Sequence, residues 1–212
     1  MTSTRLVRLF SPGLILASLA VWGCSSQPPR LHPPEIDASA AGKAAIQQYD
    51  TNSDGTIGGD ELAQAPELQA SMNTVDTNSD GTITADEITS RIEQWQQSKL
   101  GRTSMTVGVQ YRGQPLEGAT VTLEPAAFLG ENVKPASATT DSTGMAFPSI
   151  PTDPNDMHDP PGVAPGFYRV KISKQVNGQE AIPPAYNEQT QYGVEIALDS
   201  EVVMEGLTMN IQ

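Results

Sequence analysis

The sequence of 212 residues has little of the side chains on which most enzymes depend. It contains 1 cysteine and 2 histidines, and aromatic residues make up 5% of it. One cysteine cannot form an intrachain disulfide or a thiolate zinc site, and two histidines leave little material for nucleophilic catalysis. Basic side chains are also few, 12 Lys and Arg against 25 Asp and Glu, for a net charge of −13. Because an acidic chain without a basic stripe lacks the electrostatic footprint of a nucleic-acid-binding protein, we expect no nucleic-acid partner.

The first residues have the pattern of an export signal. Arg5 and Arg8 precede a run of nine residues at 14–22 that is apolar except for Ser18. This run is shorter than the roughly 20 residues that span a bilayer, but it suits the hydrophobic region of a secretory signal. Cys24 follows directly after Gly23, and this arrangement resembles the lipobox of bacterial lipoproteins. The resemblance implies a lipoprotein signal peptide at residues 1–23, cleavage before Cys24 and lipid attachment to its sulfur.

A lipid on Cys24 would anchor the chain to a membrane of the bacterial cell envelope. Ser25 and Ser26 stand where, in the best-known lipoprotein pathway, an aspartate retains such proteins at the inner membrane. The resemblance therefore favours the outer membrane. Residues 24–34 contain four prolines and no apolar periodicity, which predicts an extended, Pro-rich tether. An ordinary signal peptide followed by a chance cysteine is the alternative.

One internal repeat dominates the next part of the chain. Residues 50–61 (DTNSDGTIGGDE) and 76–87 (DTNSDGTITADE) are identical at 10 of 12 positions. Acidic or amide side chains stand at positions 1, 3 and 5, glycine at 6, isoleucine at 8 and glutamate at 12. Both segments resemble the EF-hand calcium loop and match its pattern throughout. One such turn could be a solvated loop, but two near-identical matches favour a pair of calcium sites.

The residue types in the repeat suit Ca²⁺, a hard ion that takes six to eight oxygen ligands at about 2.3–2.6 Å. We expect side-chain oxygens from positions 1, 3 and 5, a backbone carbonyl from position 7 and both carboxylate oxygens of the last glutamate. Mg²⁺ is a weaker candidate, because its strict octahedral geometry suits a flexible loop poorly. The predicted ligands of the two Ca²⁺ sites are Asp50, Asn52, Asp54, Thr56 and Glu61, and Asp76, Asn78, Asp80, Thr82 and Glu87. Ile57 and Ile83 are expected to join the loops through a short β-bridge.

Apolar residues at helical spacing flank both loops, which predicts an EF-hand pair over residues 35–100. Only 14 residues, 62–75, separate the loops, and Pro66 interrupts them, so the helices between the loops must be short. A wide groove for a target helix is not expected, which disfavours a sensor that opens like calmodulin. The short spacing is similar to that of dockerins, which dock onto a cohesin. Dockerins lack the helix that residues 36–49 predict before the first loop, and a docking module stays an alternative.

The pattern changes from residue 103, where short stretches of alternating apolar residues are separated by turn residues. About seven such strands over about 110 residues predict an antiparallel β-sandwich. The segments at 113–121 (GQPLEGATV), 140–144 (TDSTG) and 165–170 (PGFYRV) resemble the carboxypeptidase regulatory-like, transthyretin-like domains. This resemblance covers residues 103–212 and implies a non-catalytic binding or scaffold module.

An enzyme is known on the transthyretin fold, the hydroxyisourate hydrolase, which uses histidines together with a C-terminal YRGS. In this sequence Tyr-Arg-Gly stands at 111–113, the chain ends in MNIQ, and the only histidine of residues 103–212 is His158. The required pattern is therefore absent. No catalytic residues and no enzymatic activity are expected, with an unrecognised hydrolase as the alternative.

Together these patterns predict an α+β protein in separate domains, a helical EF-hand pair followed by an antiparallel β-sandwich. The expected function is that of a calcium-binding, lipid-anchored protein of the cell envelope, in which Ca²⁺ stabilises a non-catalytic structural or binding module. A calcium-dependent adhesion or carbohydrate-binding protein is an alternative, although aromatic residues for stacking on sugars are scarce. The membrane, through Cys24, is the one partner that the sequence predicts.

Overall fold

The computed structural model describes residues 32–152 and 160–212. The predicted signal peptide, the lipidation site Cys24 and His158 lie outside the described residues. Of the helices in these two ranges, none combines the length and the hydrophobicity needed to cross a bilayer.

The helical region begins with α1 (Ala38–Tyr49), at the place where the sequence predicts a helix before the first loop. Asp37 caps this helix, since its Oδ1 accepts a hydrogen bond from the Ala40 N–H at 2.9 Å. The helices between the loops have four residues each, as their spacing predicts, and Pro66 begins the middle one. In chain order the other elements of this region are β1 (Thr56–Gly58), α2 (Gly59–Leu62), α3 (Pro66–Gln69), α4 (Met72–Val75), β2 (Thr82–Thr84) and α5 (Ala85–Ser98).

The first and last helices of this region, α1 and α5, pack closely against each other. An added Cβ at Gly42 of α1 would lie 2.6 Å from the Thr89 Oγ1 of α5, so the crossing depends on glycine. Thr89 also joins the two helices, because its hydroxyl donates to the carbonyl of Ala38 at 3.2 Å. The buried side chains Ala45 and Ile92 belong to this contact and are fully covered.

The regular secondary structure described after α5 is mostly strand, and its main strands form two sheets. The order in the first sheet is β11-β8-β5-β6, and in the second it is β12-β3-β4, with β7 paired to β3. A separate hairpin joins β9 to β10. The strands are β3 (Val107–Tyr111), β4 (Gln114–Pro115), β5 (Thr120–Pro125), β6 (Ala136–Thr139), β7 (Met145–Ala146), β8 (Gly166–Ser173), β9 (Gln175–Val176), β10 (Gln179–Glu180), β11 (Gly193–Ile196) and β12 (Leu207–Ile211). A short helix, α6 (Glu201–Glu205), and two 3-10 helices, Ala127–Leu129 and Pro184–Tyr186, lie between strands.

The predicted α+β layout is confirmed, a helical region followed by a sheet region rich in antiparallel pairs. One pair differs from the prediction of an all-antiparallel sandwich. β12 runs parallel to β3, with Leu207 beside Val107 and Ile211 beside Tyr111. The alternation of apolar residues predicts which face of a strand is buried, but it contains no information about the direction of the neighbouring strand.

The first sheet is covered on both faces. On one face the neighbours Val121 and Ile172 are fully buried in a hydrophobic core that includes the second sheet. Successive side chains of a strand lie on opposite faces, so Phe167 lies on the other face. There its ring meets that of Trp95 in α5 edge to face, with the centroids 4.6 Å apart. The helical region, the first sheet and the second sheet therefore form three layers.

Candidate calcium sites

The two loops share their backbone conformation at positions 4 and 6. Gly55 and Gly81, at position 6, have φ angles of 88° and 83°, and Ser53 and Ser79, at position 4, have φ angles of 63° and 58°. Side chains with a Cβ rarely adopt the angles at position 6, so glycine there meets a requirement of the turn. The loops differ at position 10, where Gly59 has a φ of 48° and Ala85 begins α5.

Hydrogen bonds from the backbone hold the carboxylate at position 1 inside each loop. Asp50 Oδ2 accepts from the Gly55 N–H at 2.9 Å, and Asp76 Oδ2 accepts from the Gly81 N–H at the same distance. Position 3 behaves alike in both loops, because its amide oxygen accepts from the N–H of position 5 at 2.8 Å. The first five positions therefore form a compact turn lined by side-chain oxygens.

The last glutamate connects the two ends of its loop. Glu61 Oε1 accepts from the Thr51 N–H at 2.8 Å, while its Oε2 accepts from the Gly58 N–H at 3.2 Å. Glu87 accepts from the Thr77 N–H at 3.1 Å and the Thr84 N–H at 2.9 Å in the same way. Both glutamates lie in the first turn of the exiting helix, where a carboxylate also interacts favourably with the helix dipole.

Position 9 is where the two loops differ in a side chain that forms hydrogen bonds. Thr84 accepts from the Glu87 N–H at 3.2 Å and donates to Glu87 Oε2 at 2.9 Å, which completes a capping box. Gly58 has no side chain to do this in the first loop, where Glu61 Oε1 instead accepts a further bond from the Asn52 N–H at 3.1 Å. The side-chain cap at the start of the exiting helix is therefore particular to the second loop.

Hydrogen bonds also favour the ionised form of three loop carboxylates, Asp54, Glu61 and Asp80. Those from Thr56 hold the pKa of Asp54 below its usual value, and those from Thr82 do the same for the pKa of Asp80. The backbone N–H of Gly58, with that of Thr51, lowers the pKa of Glu61. Carboxylates that stay charged suit a loop that attracts a divalent cation.

A short bridge joins the loops back to back. Ile57 pairs with Ile83 between antiparallel β1 and β2, and both side chains are fully buried. The bridge predicted from the isoleucines at position 8 is confirmed. Because the strands also contain Thr56 and Thr82, any movement at position 7 of one loop is transmitted to the other.

The structure brings the predicted side chains of each loop around a single turn. Within residues 32–152 and 160–212, no group of three His, Cys, Asp or Glu side chains converges as a formed metal site. Each loop carboxylate instead accepts hydrogen bonds from its own backbone, as described above. The donor set fits calcium, since each loop offers two aspartates, one asparagine and one glutamate, all oxygen ligands.

Comparison with protein families agrees with this geometry. A family model described as EF hand matches residues 43–65 and 68–90. Residues 43–90 form an EF-hand pair. This pair supports calcium binding by the chain. A search of the curated proteins finds no match.

Two charged clusters, which the sequence did not predict, attach the EF-hand pair to the first sheet. The first is built around Glu67 of α3, whose side chain is fully buried. Its Oε1 accepts from the Tyr49 hydroxyl at 2.5 Å, and its Oε2 accepts from the Arg169 Nε of β8 at 2.9 Å. Arg169 also donates to the carbonyl of Gln64 at 2.8 Å. Burial, together with the carboxylate of Glu67, raises the pKa of Tyr49, so the hydroxyl keeps its proton.

The second cluster is built around Glu195 of β11, which is also buried. Glu195 Oε1 accepts from Arg91 Nε at 2.5 Å and from Trp95 Nε1 at 2.8 Å, both in α5. Its Oε2 accepts from the Thr74 hydroxyl of α4 at 2.6 Å. The remaining nitrogens of Arg91 bind Asp199 at 2.8 and 3.0 Å, and this contact lowers the pKa of Asp199. One carboxylate therefore joins two helices to the sheet.

No local pattern identifies these residues in advance. Arg91 and Glu195 are 104 residues apart, and Glu67 and Arg169 are 102 residues apart. A lone charge on a short helix or a strand is usually solvated. The one signal in the sequence is the run Gly166-Phe167-Tyr168, which lacks the alternation of a half-exposed strand, and all three residues are buried in β8.

Proposed function

We propose that the EF-hand pair binds two calcium ions, one in each loop, and that bound calcium stabilises the helical region and its contact with the sheet. The observation that supports this proposal is the equivalence of the loops. They have the same oxygen donors, positive φ angles at positions 4 and 6 and equivalent hydrogen bonds from the backbone to positions 1 and 3, and they are joined through β1 and β2. A calcium site in only one loop would not account for the equivalent geometry of the other loop.

Three carboxylates in each loop repel one another, and a dication reduces that repulsion. The residues that would hold the ion are Asp50, Asn52, Asp54, Thr56 and Glu61 in one loop, and Asp76, Asn78, Asp80, Thr82 and Glu87 in the other. Sites of the extracellular class, with Kd of about 10⁻⁴–10⁻³ M, would stay loaded where calcium is abundant. A ligand that binds only the folded chain stabilises it by RT ln(1+[Ca²⁺]/Kd), so saturation would raise the melting temperature.

We place this module in the bacterial cell envelope, held to the outer membrane by lipid on Cys24, and without catalytic activity. The support is the sequence pattern alone, a basic start, a run at 14–22 that is apolar except for Ser18, and a cysteine after Gly23. Metabolic labelling with a radioactive fatty acid tests the anchor. We expect label in the wild-type chain and none in Cys24→Ser, and equal labelling of both chains would contradict lipid attachment at Cys24.

The calcium proposal is tested on the full-length chain carrying Trp22→Phe, which leaves Trp95 as its one tryptophan. Trp95 lies in α5, the helix that leaves the second loop, and its indole N–H binds Glu195. After chelation, titration with Ca²⁺ should change Trp95 fluorescence in a saturable way and raise the melting temperature, while Mg²⁺ at the same concentration does much less.

The control for this titration is the same chain with Glu61→Gln and Glu87→Gln, which keep the size of both side chains and remove their charges. These changes should abolish the calcium response and leave the chelated protein folded. Calorimetry should count two ions for the unaltered loops. A count of zero, or a response that persists in the double variant, would contradict the proposal.

A further inference from the structure

The first sheet covers the EF-hand pair at the residues that adjoin the calcium loops. The Tyr49 hydroxyl, directly before the first loop, accepts from Arg169 of β8, and the Thr74 hydroxyl, two residues before the second loop, donates to Glu195 of β11. We propose that the face of β8 and β11 is an internal target of the EF-hand pair, and that Glu67 and Glu195 are positioning residues that set the calcium affinity of the two loops. This inference rests on the proposed calcium binding.

At the first loop, Glu67 fixes the end of the entering helix. The Tyr49 hydroxyl donates to Glu67 Oε1, and Arg169 donates both to Glu67 Oε2 and, at 3.1 Å, to the Tyr49 oxygen. The ring of Tyr49 also meets Phe128 edge to face at 6.4 Å between centroids. Because the next residue is the ligand Asp50, any shift of Tyr49 away from the sheet moves position 1 of the loop.

At the second loop, Glu195 holds both the entering and the exiting helix. Thr74 belongs to α4, which enters the loop, while Arg91 and Trp95 belong to α5, which leaves it. Arg91 follows the ligand Glu87 by one helical turn. The angle between the two helices is therefore fixed by three hydrogen bonds to one carboxylate. A change in that angle on loss of calcium would break at least one of these bonds.

The carboxylate at the centre of each cluster is buried, which makes its pairing strict. Glu67 is fully covered and its partner Arg169 is 34% exposed, while Arg91 and Glu195 are each 5% exposed at their side chains. A buried charge that loses its partner is strongly unfavourable, so the sheet accepts one arrangement of the helices and rejects others. The aromatic contact of Trp95 with Phe167 supports the same arrangement.

Calcium binding and docking of the helices on the sheet must favour each other. If calcium favours the docked arrangement of the helices, docking on the sheet favours calcium by the same factor, since coupling between two binding events is reciprocal. Couplings of this kind change affinity by about 5- to 150-fold. A variant that weakens the contact with the sheet should therefore raise the Kd for calcium without touching a ligand of the ion.

The test measures calcium affinity by calorimetry in the full-length chain, one loop at a time. Glu87→Gln isolates the first loop, and in that chain Arg169→Met should raise the Kd about tenfold. The matched control is Lys171→Met on the same strand, which breaks a partly exposed ion pair within the sheet, with Glu124 of β5. In the same way, Glu61→Gln isolates the second loop, and Glu195→Gln should raise its Kd.

Two further variants separate positioning from general loss of stability. Val109→Ala removes two buried methyl groups from the core beside the second sheet and should lower the melting temperature with the calcium Kd unchanged. Glu67→Gln replaces Arg169→Met if that chain does not fold, because it keeps the side-chain shape and removes one charge of the pair. It too should raise the Kd of the first loop.

The outcomes are distinct. If Arg169→Met, or Glu67→Gln in its place, has the same Kd as Lys171→Met, the inference is wrong for the first loop. If Glu195→Gln leaves the Kd unchanged, the inference is wrong for the second loop. A Kd that rises as much in Val109→Ala overturns it as well, because affinity would then follow overall stability. A wild-type chain that binds no calcium overturns the proposed function itself, and the inference with it.

Discussion

Gly193 of β11 lies directly beneath Pro66, the first residue of α3. A Cβ added at Gly193 would overlap the carbonyl oxygen of Pro66 and the N–H of Glu67. The backbone of the helical region therefore approaches the sheet as closely as two main chains allow, and this approach places Glu67 within reach of Arg169 on the neighbouring strand. Glycine at this position determines the distance between the two layers.

Gly193→Ala should therefore separate the layers and destabilise the protein. Overpacking against a rigid neighbour costs about 3 kcal/mol, at the upper end for such changes, because backbone cannot move aside as a side chain can. Urea denaturation measures the loss. Gly108→Ala is the control, since its added methyl meets the flexible Met145 at 3.3 Å and should cost much less. Equal losses for the two variants would contradict this account.

Phe167→Ala should open the layer between the helices and the sheet. Phe167 is fully buried between Trp95 and Phe128, with ring centroids at 4.6 and 6.0 Å. Removing such a ring costs about 3–5 kcal/mol and admits water to Trp95, whose emission should move to longer wavelength. Phe147→Ala is the matched control, because that ring is 63% exposed and its loss should leave both stability and emission unchanged.

Thr84→Ala should weaken the start of α5 and, through it, the second loop. The variant removes the hydrogen bonds that Thr84 forms with the backbone and the carboxylate of Glu87. Loss of such a cap costs about 1 kcal/mol. Thr84→Ser, which keeps the hydroxyl, should recover most of the stability in thermal denaturation. If serine were no better than alanine, the cap would not be the source of the effect.

The contact between Arg91 and Asp199 should appear as a pH dependence. The pKa of Asp199 is lower in the folded chain than in the unfolded chain, because Arg91 binds the charged form. Its contribution is therefore complete above the ordinary pKa of about 3.9 and is lost as pH falls through the folded value. Asp199 is well exposed, so the contribution is below about 1 kcal/mol.

The contribution of Asp199 to stability is isolated by comparing the denaturation of wild type and Asp199→Asn in chelator, from pH 6 down to pH 2. Wild type should be the more stable at pH 6, and the difference should vanish at the acidic end. The loop carboxylates titrate in both chains and cancel in the comparison. A difference that does not change with pH would show that the charge of Asp199 has no part in it.

The calcium loops could be predicted almost completely from the sequence, because every position has a local task. Asp50 and Gly55 are adjacent parts of one turn, and the turn dictates both residue types. The strands could be located for a similar reason, since alternation in segments such as Leu207–Ile211 follows from burial of one face.

The contact between the layers could not be predicted, because it depends on residues brought together only by the complete fold. Arg169 has the sequence context of an exposed position in a strand, between Tyr168 and Val170. Its partner Glu67 has the context of a solvated residue on a short helix. Only the packing of α3 on β11 brings these two charged side chains into contact. The parallel pairing of β12 with β3 has the same origin, since neither strand contains information about its neighbour.

The large sequence separation across this contact also determines the order in which the protein can fold. The contacts of Arg91 with Glu195 and of Glu67 with Arg169 can form only when the second residue of each pair is present, about a hundred residues further along the chain. Contacts between distant residues form slowly, because the loop between them must close first. During synthesis the N-terminal part emerges before its partners exist. The helical region is thus made first among the described parts of the chain, but it reaches its final packing only after β11 has been made.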